Sequence, residues 1–213
     1  MLCTFAPFPE LAALLLPHSS GCEGDGSHDL SHLQRVWKNV RAIQENEGGN
    51  LRILLAATLL HDCVAVEKSS PLRAQASTLA AEKAGTILEQ HGWSAPDQEA
   101  VMHAVQTHSF SAGLLPRSLE ARILQDADRL DAIGALGIAR CFYTAGRMGS
   151  SLYHPQDPSA QNRPLDDARY ALDHFPAKLL TLADGFQTSA GRTLAAQRQA
   201  RMQRYLQDLL DEL

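Results

Sequence analysis

Apolar residues recur along this chain at the three- and four-residue spacing of helices, and no stretch alternates apolar and polar residues over a strand's length. Between residues 30 and 47, Leu33, Val36, Val40 and Ile43 share one face, and the EGGN run at 47–50 stops that helix with glycines. Residues 51–63 bring Leu51, Leu54, Leu55, Thr58 and Leu59 together as a largely buried helix. The EKSSP run at 67–71 is a loop closed by Pro71. An alanine-rich helix follows from about Arg73 to His91 and ends at Gly92. Pro96 and Asp97 open a helix that reaches about Thr107. Residues 118–146 predict one long helix or two in tandem. Residues 147–166, rich in Gly, Ser, Pro, Asn and Gln, form the one long loop, and such loops serve as lids or binding loops or lack order. Two closing helices are expected over 166–184, bent or broken near Pro176, and over 188–213. A short helix over about 7–16 precedes them all. The pattern predicts one all-α domain spanning 1–213.

Composition narrows the function classes. Of 213 residues, 45% are apolar and 20% charged, enough to bury a sizeable core. The net charge is −5 and no Lys/Arg run exceeds two residues, so stable nucleic-acid binding is not expected. Cys3, Cys22, Cys63 and Cys141 are far apart and form no C-x-x-C pair, which predicts reduced thiols and a cytoplasmic protein. The N-terminal apolar run has no basic leader, carries Glu10, and is too short to span a bilayer; neither a signal peptide nor a membrane role is expected.

Histidine is sparse, at nine residues, so its positions are informative. His61 and Asp62 end an apolar helix, and His61 lies two turns after Leu54 on the buried side. A carboxylate there meets the negative end of the helix dipole and a desolvated setting, so something positive should compensate. A divalent metal would do so by taking the imidazole and the carboxylate together. The alternative is a hydrogen-bonded core histidine beside a surface or capping aspartate. His32 begins another helix, and His103 and His108 stand near the end of a third. Asp128 and Asp131 lie three apart, on a stripe with Leu124 and Ala135.

The order H…HD…H…H…D on successive helices resembles the HD-domain superfamily of metal-dependent phosphohydrolases. The segments SHDLSHLQRVW, LLHDCVAVEKSSP, HAVQTHSFSAG and QDADRLDAIGALGIAR, with the C-terminal YALDHFPAKLLTLADGFQTSAGRTLAAQRQARM, resemble its YedJ-like subgroup over residues 25–213. The resemblance implies an HD core at about 25–146, a substrate lid at 147–166 carrying Arg147, Tyr153, His154 and Arg163, and C-terminal helices over 166–213. It makes His32 the first metal ligand, His61 and Asp62 the paired ligands, and Asp128 the closing one. His103 and His108 raise the set to six, enough for a second ion with Asp62 as bridge. The earlier dipeptide, His28-Asp29, is then support: Asp29 caps the helix or holds Arg35, and His28 stays outside the ligand set.

Imidazoles and carboxylates without a thiolate suit one or two Mn²⁺, Fe²⁺, Co²⁺, Ni²⁺, Zn²⁺ or Mg²⁺ ions per chain. The implied reaction is attack of activated water on a phosphomonoester or phosphodiester, with a nucleotide or another small phosphoester as substrate. Asp62 belongs to the catalytic set, Arg129 and Lys68 are candidates for the phosphate oxygens, and Glu67 is a candidate proton shuttle. Some branches place an acid three residues after the HD pair; here Ala65 stands there. Lys178 and Arg198 either line the cleft or make surface pairs, and for Arg198 a surface pair is expected. Two other readings share the fold: a di-iron oxygenase, and a non-catalytic module that binds a nucleotide or metal. Hydrolysis of (p)ppGpp is disfavoured because HDCVAVEK lacks the Glu-Asp dipeptide of that branch.

Overall fold

The computed structural model describes residues 2–19, 30–64, 66, 70, 72–109 and 112–213. The structure is all-α, and no strand occurs among the described residues; one isolated bridge joins Ser151 to Tyr170. The chain divides into two compact units, Met1–Asp128 and Arg129–Leu213.

The first unit contains α1 (Pro9–Leu15), α2 (Leu30–Glu47), α3 (Leu51–Leu60), α4 (Ala76–Gln90), α5 (Ala95–Thr107) and most of α6 (Leu119–Asp131). α3 is its centre, with every residue from Ile53 to Leu60 buried, and it packs against α1, α2, α4 and α5. α2 is amphipathic in the expected register: Leu33, Val36, Val40 and Ile43 face inward, joined by His32, Trp37 and Asn39. Gly48 and Gly49, at φ 80° and 99°, make the left-handed turn between α2 and α3, a conformation that a side chain would strain. Asn50 then caps α3 by accepting from the Arg52 and Ile53 amides. The helix expected over 51–63 stops earlier, with His61 as its C-cap. The helix expected from Arg73 begins as a 3₁₀ turn, Arg73–Gln75, before α4.

In the second unit, α7 (Gly134–Met148) packs on α9 (Ser189–Asp211). The tandem alternative for 118–146 is the correct one: α6 and α7 are separated by a turn at Gly134, whose φ is 77°. The helix expected over 166–184 does not form. In its place stand two 3₁₀ turns, Ala171–Asp173 and Leu179–Thr181, around α8 (His174–Ala177). The amides of Ala171 and Leu172 donate to the carbonyls of Ser151 and Leu152, which removes them from any helical ladder. Pro176 falls within the first turn of α8, the place where its missing N–H costs least.

The long loop is heavily bonded. Arg163 grips Asp173 with both terminal nitrogens, at 2.5 and 2.7 Å. Asp157 accepts from the Gln161 and Asn162 amides, and His154 Nδ1 accepts from those of Gln156 and Asp157. Arg147 lies over the Tyr143 ring. The Arg198 guanidinium, expected at a surface pair, donates to the Leu130 carbonyl. No helix among the described residues is long and apolar enough to cross a membrane.

Candidate metal centre

Two helices end at the site in the same way. His61 is the C-cap of α3, and its Nδ1–H donates to the Thr58 carbonyl three residues back, at 2.8 Å. His108 is the C-cap of α5, and its Nδ1–H donates to the Val105 carbonyl at 2.6 Å. The last carbonyls of a helix have no partner within it, so each histidine satisfies one from its own helix. A carbonyl can only accept, so the proton of each neutral ring sits on Nδ1 and the Nε2 lone pair faces the site. Both helices also present the negative end of their dipoles there, which favours a cation.

Those lone pairs converge. His61 Nε2 lies 3.2 Å from His32 Nε2, and His32 stands in the first turn of α2. Asp128 Oδ1, on α6, is 3.5 Å from His32 Nε2 and 3.9 Å from His61 Nε2. Asp62 Oδ2 is 3.3 Å from His61 Nε2, while its Oδ1 is 3.6 Å from His108 Nε2. Two sets result: His32, His61 and Asp128; and His61, Asp62 and His108. Within each, one donor atom from every residue lies within 4.8 Å of the others. His61 belongs to both sets and is fully buried, whereas the Asp62 side chain is 39% exposed and opens to solvent.

The electrostatics ask for positive charge. Burial by itself would lower the pKa of His61, but the Asp62 and Asp128 carboxylates outweigh it and push the value up to about 9. Burial would raise the Asp62 pKa, yet His61 and His108 hold it well below the ordinary carboxylate range. Two carboxylates facing imidazole lone pairs fit a divalent metal, which takes nitrogen and oxygen donors together and replaces that proton.

His103 is not drawn into either set. Its Nε2 accepts the Arg117 amide at 2.9 Å, and burial together with the Arg117 charge holds its pKa below the usual histidine value. Arg129 does not present a free fork: its terminal nitrogens donate to the Asp184 and Gly185 carbonyls at 2.6 and 3.3 Å, and it lies over the Phe186 ring. Glu67 and Lys68 lie outside the described residues, as do His28, Asp29 and Ala65. Asn39, Gln125 and Lys83, none of them an expected site residue, donate to the carbonyls next to Asp128, His108 and Asp62. The signal available for two of them was a polar amide at a core position, Asn39 on the apolar stripe of α2 and Gln125 one turn before Asp128.

Known proteins share the family and the fold. A model of the HD domain family matches residues 29–133. A Bacillus subtilis protein, YpgQ, is 34% identical over 201 residues, covering 92% of this chain and 87% of that one. Among solved structures, an HD-superfamily hydrolase of Bacillus thuringiensis superposes with a TM-score of 0.73 at 31% identity, covering 95% of this chain and 96% of that one. YpgQ of Bacillus subtilis in complex with ADP superposes with a TM-score of 0.69 at 32% identity, covering 96% of this chain and 93% of that one. The chain belongs to the HD-domain family.

Proposed function

We propose that this protein is a divalent-metal-dependent phosphohydrolase acting on a small phosphoester of the nucleotide class in the cytoplasm. One observation carries the reading: the buried Nε2 lone pairs of His61 and His108 are fixed by Nδ1–H bonds to their own helix ends, beside the carboxylates of Asp62 and Asp128. His32, His61 and Asp128 would hold one ion. Asp62 and His108 would complete its shell or, with the Asp62 carboxylate as bridge, begin a second. A divalent cation held there supplies Lewis acidity and lowers the pKa of water towards neutrality. Asp62 is the more exposed of the two acids and lies at the solvent side, so it orients the attacking water and accepts its proton. The water oxygen bonds to phosphorus as the bond to the leaving oxygen breaks, and the leaving oxygen keeps the electron pair. The ADP held by YpgQ supports a nucleotide as the substrate class.

The di-iron oxygenase reading calls for six ligands, and the described residues gather five, with His103 turned to the Arg117 amide. The decisive experiment is elemental analysis of wild type and Asp62→Ala, purified without chelator or histidine tag, followed by phosphate-release assays on nucleotides. One or two equivalents of metal in wild type, lost in the variant, with metal-dependent release, are expected. Absence of metal from wild type even after reconstitution with Mn²⁺ or Fe²⁺ would sink the reading. Stoichiometric iron with oxygen uptake and no phosphate release would move the protein to oxygenase chemistry.

A further inference from the structure

Three ligand-bearing segments share a feature that neither their helices nor their ligands require. In each, the backbone carbonyl one residue from a ligand accepts a hydrogen bond from a side chain on a different element. Asn39 Nδ2, on α2, donates at 2.9 Å to the carbonyl of Ala127, the neighbour of Asp128. Gln125 Nε2, on α6, donates at 2.7 Å to the carbonyl of Thr107, the neighbour of His108. Lys83 Nζ, on α4, donates at 2.7 Å to the carbonyl of Cys63, the neighbour of Asp62. We propose that Asn39, Gln125 and Lys83 are positioning residues that fix the orientation of Asp128, His108 and Asp62 for a bound metal ion.

The inference rests on the metal-centre reading and goes one layer outward from it. Asn39 and Gln125 are buried amides, 6% and 3% exposed. Such a bond adds only a modest net stability, because both groups bond to water in the unfolded chain. What an amide adds is direction. Asn39 lies two turns after His32 on the same face of α2, so its bond sets the distance between the helix of His32 and that of Asp128. Gln125 lies one turn before Asp128 and ties α6 to the end of α5 that carries His108. Together they make α6 the reference against which the other two helices are set. Thr107 and Cys63 sit at or just past helix ends, where carbonyls lack helical partners and the backbone has most freedom to swing. A side-chain donor there removes that freedom next to the ligand. Residues that brace metal ligands from behind commonly change affinity far more than stability.

The test compares Asn39→Leu, Gln125→Met and Lys83→Met with a control, Gln98→Met. Gln98 also donates its amide to a backbone carbonyl, that of Trp93 at 2.8 Å, but serves no ligand. Co²⁺ is titrated into metal-free protein and followed by its visible absorption, and the Tm of each metal-free variant is measured in parallel. Each of the three changes is expected to weaken Co²⁺ binding of the folded protein by about 10–100-fold and alter the absorption bands, while the control leaves both at the wild-type level. Lys83→Arg should restore binding. Co²⁺ binding indistinguishable from wild type in the three variants would overturn the inference. A wild type that binds no Co²⁺ would overturn the metal centre itself. Should Asn39→Leu fail to fold, Gln125→Met carries the same prediction alone, because it acts on a different helix pair.

Discussion

In the second unit, the two buried carboxylates each have a guanidinium against them. Asp173 takes both terminal nitrogens of Arg163, at 2.5 and 2.7 Å, and Asp131 takes Arg140 at 3.4 Å. In the first unit, the described ion-pair partners of Asp62 and Asp128 are imidazoles. Arginine is a permanent cation supplied by the chain itself, so its pairs close on themselves and hold structure. Neutral imidazoles cannot balance two carboxylates; they need a proton or a metal ion. The same residue type thus marks a strut in one unit and a candidate cation site in the other, and the partner decides which.

The comparison breaks most visibly at His61, the donor common to both ligand sets. His61→Ala should reduce bound metal to background, as measured by elemental analysis, while far-ultraviolet circular dichroism stays helical. Arg129→Ala tests the strut side. It removes charged hydrogen bonds to the Asp184 and Gly185 carbonyls, so urea unfolding should show a loss of about 2–3 kcal/mol, and the folded variant should keep its metal. A specific fall in turnover with unchanged stability would instead return Arg129 to the substrate.

A pH series sharpens the same contrast. The Arg163 bonds hold the Asp173 carboxyl below its ordinary range; burial opposes them, and the Asp166 amide adds to them. A depressed carboxyl contributes stability above its unfolded pKa of about 3.9 and loses it as pH falls through the lower folded value. The gap in urea midpoint between wild type and Asp173→Asn should therefore be full near neutrality and shrink as pH falls below the unfolded value of about 3.9. A gap that stayed constant to low pH would mean that the pair contributes by shape alone. The smallest effect belongs to His103→Ala. With Nε2 committed to the Arg117 amide, its loss should leave metal content at the wild-type level, and a fall would bring His103 back among the ligands.

Local signals were the legible ones. The register of α2, the buried run of α3 and the glycine turn between them follow from spacing and from residues adjacent in the chain. So did the anomaly of a histidine and an aspartate at the end of an apolar helix. The errors fell where the backbone found partners far along the chain. The 166–184 helix gives way because Ser151 and Leu152 take its amides.

What the sequence determined by itself was the all-α pattern and the short list of residues able to hold a cation. Helix periodicity and side-chain chemistry are properties of neighbours. Tertiary structure alone decided which of those residues meet. It set His108 beside Asp62 and left His103 on a loop amide, although both lie on one helix and its cap. It also assigned Arg129 to carbonyls 55 and 56 residues away and placed Asn39, Gln125 and Lys83 behind the ligands. Each outcome depends on where a distant carbonyl falls, and that position exists only once the helices have packed.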